Sequence, residues 1–438
     1  MKDSVLCYSA GLAIFNKPSQ DIGIMNERCI QYLPVNSYTN QSVIEFCIPG
    51  NTAYYTDLKK TKLHLSCKIV KSDGTDFATG TGVGKTNVAP VDNVLSSLFS
   101  RVDVLLQDKT LTSSEHTYAY KAYLNNLLFK SPAQKQTDLT TELYYQDPAE
   151  HISDFNHLLS SSVPFKDRAK LFDTSSTVDM VGPLHVDICQ NLDRYIPSGV
   201  DIKVKLYPNP PEFCLLSSDT TQKFKIIISK IFLSFCHYQI SPEVTISHNE
   251  LLKETKAVFP YVRSLTKKYT LPSTIFSYDI NDPFNGNIPS EMIIGLVSES
   301  AAYGNLKENP YNFEHCNLSY ISAQWDSIDM PPGILRPKFE AKYETSNFID
   351  AYNSLRGIDN DSGSIPITRQ QFYKGYTLYR FHTGEPENEP GNIPIKRTGM
   401  LRISMTFEKK LENAMTLIIY AKFPAAFNID GSRAVYEV

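Results

Sequence analysis

The chain has 438 residues, enough for two or three domains with large cores. Charged residues make up 21% and hydrophobic residues 42%, as in an ordinary globular protein, and no segment approaches the ~18 consecutive apolar residues of a membrane span. The formal net charge is −4 and basic residues occur at most in pairs, such as Lys59-Lys60 and Lys409-Lys410, which excludes an arginine-rich arm and strong nucleic-acid binding through phosphate neutralisation.

The opening MKDSVLCYSAGLAIFNKPSQ has one early lysine and a short, broken apolar run, which makes a poor signal peptide. SVIEFCI (42–48) is the first strand candidate. TKLHLSCKIV (61–70) alternates Leu63, Leu65, Cys67 and Ile69 against Lys62, His64, Ser66 and Lys68, a half-buried strand with one wet face. Residues 78–86, ATGTGVGKT, end as a phosphate-binding loop does, in Gly84-Lys85-Thr86. The required Gly-x-x-x-x-Gly-Lys-Ser/Thr spacing fails, because Thr79 stands where the first glycine belongs. A turn cluster (71–76) precedes the loop and Pro90 follows where a helix should run, so a loop without phosphate chemistry is expected.

Residues 91–99 place Val91, Val94, Leu95, Leu98 and Phe99 on one helical stripe, and RVDVLLQD (101–108) reads as a strand. Residues 118–129 form a second helical stripe through Tyr120, Tyr123, Leu124, Leu127 and Leu128. Strands follow at GVDIKVKLYP, with Val200, Ile202, Val204 and Leu206 inward, and at KFKIIISKIFLSFCHYQI (223–240). Residues 242–254, opened by Ser241-Pro242, are a weaker helix candidate. EMIIGLVSES (291–300) and LSYISAQW (318–325) are strands, and 347–356 is a helix with Asn347 as cap and Gly357 as stop. GYTLYRF (375–381), GMLRISMTFE with Leu401, Ile403, Met405 and Phe407 inward, and MTLIIYAKF (415–423) complete the strand set.

Strands joined by long loops without βαβ alternation predict antiparallel sandwiches, and there are too many for one. The chain divides after the 223–240 strand, giving an N-terminal arm at 1–40, a first sandwich at 41–241 and a second at 242–438. The loops 130–175 and 300–317 and the polar stretch 382–398 are too long for hairpins and are expected to carry contacts.

No catalytic, cofactor-binding or metal-ligating residue is assigned, and no cofactor is expected. His151 and His157 are six residues apart, which does not fit one helical metal site. His185 and Asp187 in PLHVDI share a strand face and are expected on its solvent side. His315-Cys316 has no partner of matching spacing, and no Gly-x-Ser-x-Gly or His-Glu-x-x-His is present. No carboxylate pair stands out as one whose environment splits its pKa values. The sequons at Asn40, Asn317 and Asn360 mean little without a secretory route. The eight cysteines contain no Cys-x-x-Cys and several sit in apolar strand patterns, so free, reduced thiols are expected throughout.

The run IQYLPVNSYTNQSVIEFCIPGNTAYYTDLKKTKLHLSCKIVKSDGTD (30–76) resembles the opening of the polinton (Maverick) and adintovirus major capsid proteins. That family shows a Y-x-P entry, an IEF-x-I-x-G strand, a Y-x-DL turn and L-x-x-x-KIV…DG-x-D. Residues 88–128 are similar to the family's next block, and 176–189, 307–323 and 418–435 match later ones in order. The resemblance weakens over the first 25 residues and around 382–398. It implies an all-β double jelly roll, two tandem eight-stranded antiparallel sandwiches with a few short inserted helices. It further implies a non-enzymatic major capsid protein: a homotrimer forming a pseudo-hexameric capsomer of an icosahedral virion shell. Other implied features are a single jelly-roll penton partner, no sequence-specific nucleic-acid contact, and synthesis in the host cytoplasm or nucleus. A carbohydrate-binding or carbohydrate-active sandwich, or a domesticated capsid-derived scaffold, is the alternative. The single Trp325, set in an apolar strand, speaks against the sugar-binding reading.

Overall fold

The computed structural model describes residues 23–437 apart from 39–42, 51–52, 81–84, 113–115, 220–221, 340–346, 359–363 and 384–394. The first group of strands is β1 (Ile24–Tyr32), β2 (Ile44–Ile48), β3 (Tyr54–Lys71), β4 (Phe99–Leu106), β5 (Lys109–Thr112), β6 (Val178–Pro183), β7 (Ile202–Pro208) and β8 (Phe224–Ile240). They make two four-stranded sheets, ordered β1-β8-β3-β6 and β2-β7-β4-β5. The second group is β9 (Ala257–Leu271), β10 (Ser277–Asn281), β11 (Glu291–Ser298), β12 (Leu318–Trp325), β13 (Ile328–Asp329), β14 (Leu378–His382), β15 (Leu401–Phe407) and β16 (Met415–Ile429). Its sheets are ordered β9-β16-β11-β14 and β10-β15-β12-β13, with Val435–Glu437 also paired to β16. All these pairings are antiparallel.

Raising each first-group label by eight gives the second-group order, so one topology is used twice. First strand beside last, with the sheets built from strands 1, 8, 3, 6 and 2, 7, 4, 5, is the jelly-roll arrangement. The chain is therefore an all-β double jelly roll. Side-chain alternation builds both cores. On β3, Leu63, Leu65, Cys67 and Ile69 are buried, and on β7 Ile202, Val204 and Leu206 are. On β15 the same holds for Leu401, Ile403, Met405 and Phe407.

The helices lie between strands. They include α1 (Tyr118–Phe129), α2 (Val163–Leu171), α3 (Asp187–Gln190) and α4 (Pro242–Glu254). The first and last match the expected 118–129 and 242–254. The 91–99 stripe is helical only over Val94–Ser97, since Phe99 already opens β4. The 347–356 candidate is helical over Ile349–Asn353, with Phe348 and not Asn347 at its N-cap. Among the described residues no helix is long and apolar enough to cross a membrane.

Two expectations are corrected. Ile24–Tyr32, inside the segment read as an arm, is the edge strand of the first sheet. Its register sets Cys29 opposite Cys236 of β8, and the two form a disulfide, so the thiols are not all free. Cys47, Cys67, Cys189, Cys214 and Cys316 are unbridged, and Cys7 lies outside the described residues.

Candidate functional site

Between β5 and β6, residues 116–177 fold back against the second sandwich, and α1 is their centre. All its residues from Tyr118 to Leu128 are buried, including Lys121, Asn125 and Asn126. A polar side chain in such a place needs a partner. Lys121 Nζ lies 2.7 Å from Asp187 Oδ1, both side chains being buried. Ser264 of β9 donates its hydroxyl to the same carboxylate oxygen at 2.5 Å. Asn125 donates to Gln190 at 3.1 Å and accepts from the Tyr420 hydroxyl of β16 at 3.0 Å. Thr117 donates to the Thr266 carbonyl at 3.1 Å. One helix face thus ties the first sandwich's inserted segment to two strands of the second.

On the other side of α1, Asn126 Nδ2 donates to Asn93 Oδ1 at 3.1 Å. His185 is fully buried between Gln190 Nε2, 2.8 Å from its Nδ1, and Glu142 Oε2, 3.2 Å from its Nε2. With Gln190 donating to Nδ1, the proton sits on Nε2 and is given to Glu142. Gly182 makes room for this carboxylate, since a Cβ there would stand 2.4 Å from Glu142 Cγ. The solvent-face expectation for His185 and Asp187 is therefore wrong. Strand β6 ends at Pro183, Asp187 opens α3, and both side chains turn inward to buried partners that local spacing does not reveal.

A second charge cluster lies in the same inserted layer. Arg168 of α2 has no exposed surface. It donates to Asp147 Oδ2 at 2.7 Å, to the Tyr145 carbonyl at 2.5 Å and to the Pro90 carbonyl at 3.3 Å. Asp92 accepts the backbone N–H groups of Asn93 and Tyr145 at 2.7 and 2.6 Å. Burial pushes the Asp92 carboxyl up to about 7, against the pull of Arg168 and with Asp147 adding to the rise. Tyr376, from the second sandwich, donates to the Asp147 carbonyl at 2.6 Å. Nearby, Tyr123 stacks on Tyr311 at 4.0 Å, and the Tyr311 hydroxyl meets Ser97 Oγ at 2.5 Å. Burial drives the Tyr123, Tyr144, Tyr311 and Tyr376 hydroxyls well above their ordinary range, so they stay protonated. The carboxylate pair escapes sequence reading because Asp92 and Asp147 sit on different insertions.

The remaining sequence candidates do not converge. His151 pairs with Asp154 at 3.0 Å, while His157 sits edge-on to the Phe165 ring. His315 stacks on Phe339 at 4.3 Å, and burial lowers it to about 4, while burial raises the Cys316 thiol. A neutral imidazole beside a protonated thiol is not an activated nucleophile. Both line an open cleft of about 560 Å³, along with Ser153, Tyr373 and Lys409. In ATGTGVGKT, Ala78–Thr79 pairs with Lys85–Thr86, and a strand at Val88–Pro90 follows in place of a helix. Gly84, Asn40, Asn360 and most of 382–398 lie outside the described residues.

What the buried clusters can do is fix two sandwiches in one orientation. The cavity beside Lys121 and Asp187 has about 10 Å³, room for about one water and not for a substrate.

No protein-family model matches the chain. A protein of Caenorhabditis elegans, "Uncharacterized protein F54H12.2", is 21% identical, covering 95% of this chain and 98% of its own length. A chain of the Sputnik virophage cryo-EM structure superposes with a TM-score of 0.64 at 10% identity, over 100% of this chain and 93% of that one. The Faustovirus major capsid protein gives 0.60 at 11% identity, over 97% and 93%. At such identities the likeness is one of fold, and it runs from end to end of both sandwiches.

Proposed function

We propose that this chain is a major capsid protein whose three copies form a pseudo-hexameric capsomer of an icosahedral, polinton-type shell. The observation that carries the reading is the end-to-end likeness to viral capsid chains, beside one strand order used twice in this chain. The role is structural and not enzymatic. The chain divides at residue 241 into two jelly rolls, with β1 counted in the first, and three chains present six sandwiches to a six-coordinated lattice position. Capsomer contacts are individually weak and summed over many copies, whereas the trimer is obligate and buries more than ~2,000 Å². A penton protein of one jelly roll fills the fivefold positions, and the near-neutral charge of −4 lets many subunits pack without long-range repulsion.

Light scattering at micromolar concentration tests the trimer. The expected mass is about three times the 49.4 kDa chain. A well-folded species that stays at one chain mass across that range overturns the reading. The full-length relative in an animal, Caenorhabditis elegans, favours a second form of it, a capsid-derived scaffold carried in a host genome. Electron microscopy of expressing cells separates the two. Closed shells support the capsid, and trimers without shells support the scaffold.

A further inference from the structure

Strand β1 is held to the molecule unlike any other first or last strand of the two sandwiches. Among the described residues it is an edge strand, paired with β8 alone. Its side chains from Ile24 to Cys29 are all exposed, and only Ile30 and Tyr32 are partly covered. Side-chain contacts help it: Tyr32 Oη lies 3.0 Å from His237 Nε2 with its ring edge-on to Phe235, and Glu27 makes an exposed ion pair with Lys60 at 2.8 Å. The equivalent strand β9 is anchored far better, with all fifteen residues paired to β16 and Phe259, Tyr261, Ser264, Thr266 and Leu271 buried. What β1 has in place of burial is the Cys29–Cys236 bridge, which joins positions 207 residues apart and so closes the whole first jelly roll into one loop. Constraint on an unfolded or detached chain grows with the length of the closed loop.

We propose that Cys29–Cys236 is a redox latch on β1: closed, it holds the strand on the sheet, and opened by a dithiol reductant it lets β1 leave. Cys29 is exposed and Cys236 is buried, so attack comes at Cys29 Sγ. A reductant thiolate bonds to Cys29 Sγ, and the S–S electron pair leaves on Cys236 Sγ, which takes up a proton. The reductant's second thiolate then attacks its own mixed-disulfide sulfur and expels Cys29 as a thiolate that is protonated in turn. Two electrons pass from the dithiol, which ends as a disulfide, to the two cysteines. Departure of β1 uncovers the outer edge of β8 next to Leu233 and Phe235, both fully buried while the strand is in place. An open edge of this kind accepts a strand from a second copy. A shell built from such chains is locked in an oxidising exterior and loosened in a reducing cytosol.

The test is hydrogen exchange of the purified full chain, oxidised and after dithiothreitol. Peptides covering 24–32 and 233–240 should exchange at least tenfold faster when reduced, while 118–129 and 415–429 stay unchanged. Cys29→Ser should show the fast exchange without reductant and no further change with it. Unchanged exchange on reduction overturns the latch, as does acceleration across the whole chain, which makes the bridge a global staple. Intact mass after alkylation without reductant must also show Cys29 and Cys236 unmodified, and labelling of both removes the proposal. None of these outcomes depends on the capsid reading.

Discussion

Two buried charge clusters, one in each half of the chain, have opposite composition. In the first, a single cation, Arg168, serves two carboxylates, Asp147 in direct contact and Asp92 close by. In the second, a single carboxylate, Glu291 of β11, serves two cations, with Arg380 Nε at 2.5 Å and Lys422 Nζ at 2.8 Å. Burial raises Asp92 to about 7 because one guanidinium does not offset two buried acids. Burial also pushes Glu291 upward, but Lys422 and Arg380 outweigh it and hold the carboxyl below its ordinary value. The same desolvation cost therefore ends in opposite ionisation behaviour, decided by the stoichiometry of partners. The location differs too. Asp92 and Asp147 lie buried in inserted segments, whereas Arg380 and Lys422 keep 12% and 20% of their side-chain surface.

The sharpest way to break this contrast is to remove the shared cation. Arg168→Ala leaves Asp147 and Asp92 buried without compensation and should cost about 3–5 kcal/mol in urea unfolding. Inserting an unpaired ammonium in the first core by Val204→Lys is expected to fall in the same range. Glu291→Gln should cost about 2–3 kcal/mol, less because its two cations reach solvent. The pH dependence of that variant sharpens the comparison. A depressed carboxyl lends stability above its unfolded pKa and loses it as pH falls through the folded one, so the Glu291→Gln deficit should shrink below about pH 4.

Asp92 works the other way. Its raised pKa makes its contribution fullest below the unfolded value near 4, and that contribution is lost as pH rises through about 7. Asp92→Asn keeps an oxygen for the two backbone N–H groups but cannot ionise. Relative to wild type it should therefore gain up to roughly 4 kcal/mol between pH 4 and pH 8, measured by thermal unfolding across that interval. A difference that does not change with pH would show that folding does not raise the Asp92 carboxyl above its unfolded value.

The legible part of the molecule is what two-residue and helical periods encode. The alternation on β3, β7 and β15 names their buried faces residue by residue, and α1 is found at its true bounds. What α1 touches is not legible. Its sequence shows an apolar stripe, yet Lys121 and Asn125 are buried as well, because the second sandwich covers the face that periodicity assigns to water, and Asn126 is buried against Asn93. Val91 to Phe99 is buried on every side, and such a run fits a helix and a strand equally. Helix α2 carries no apolar stripe to mark it, although Ser162 caps it and Pro164 sits in its first turn, signals of a helix start. The disulfide depends on strand β1, whose exposed side chains carry no alternation of burial to mark it. The charge clusters join residues brought together only by tertiary packing.

The smallest effect belongs to a charge outside both clusters. Lys205 lies next to Val204 on β7, on the opposite face, where its ammonium stands 3.6 Å from Glu45 of β2 across the sheet. Both side chains are about one-third exposed, at 32% and 39%, so water screens the pair. Valine has the higher strand preference and loses less side-chain entropy, which offsets part of the lost Coulomb attraction. Lys205→Val should therefore change stability by less than about 1 kcal/mol, with a salt dependence weaker than that of the wild type. Urea unfolding of Lys205→Val beside Val204→Lys checks it on one strand, where neighbouring positions differ only in the face they present. Losses of similar size at both positions would mean that β7 does not alternate between core and solvent. The contrast of buried and surface charge would then have no structural basis in the first sandwich.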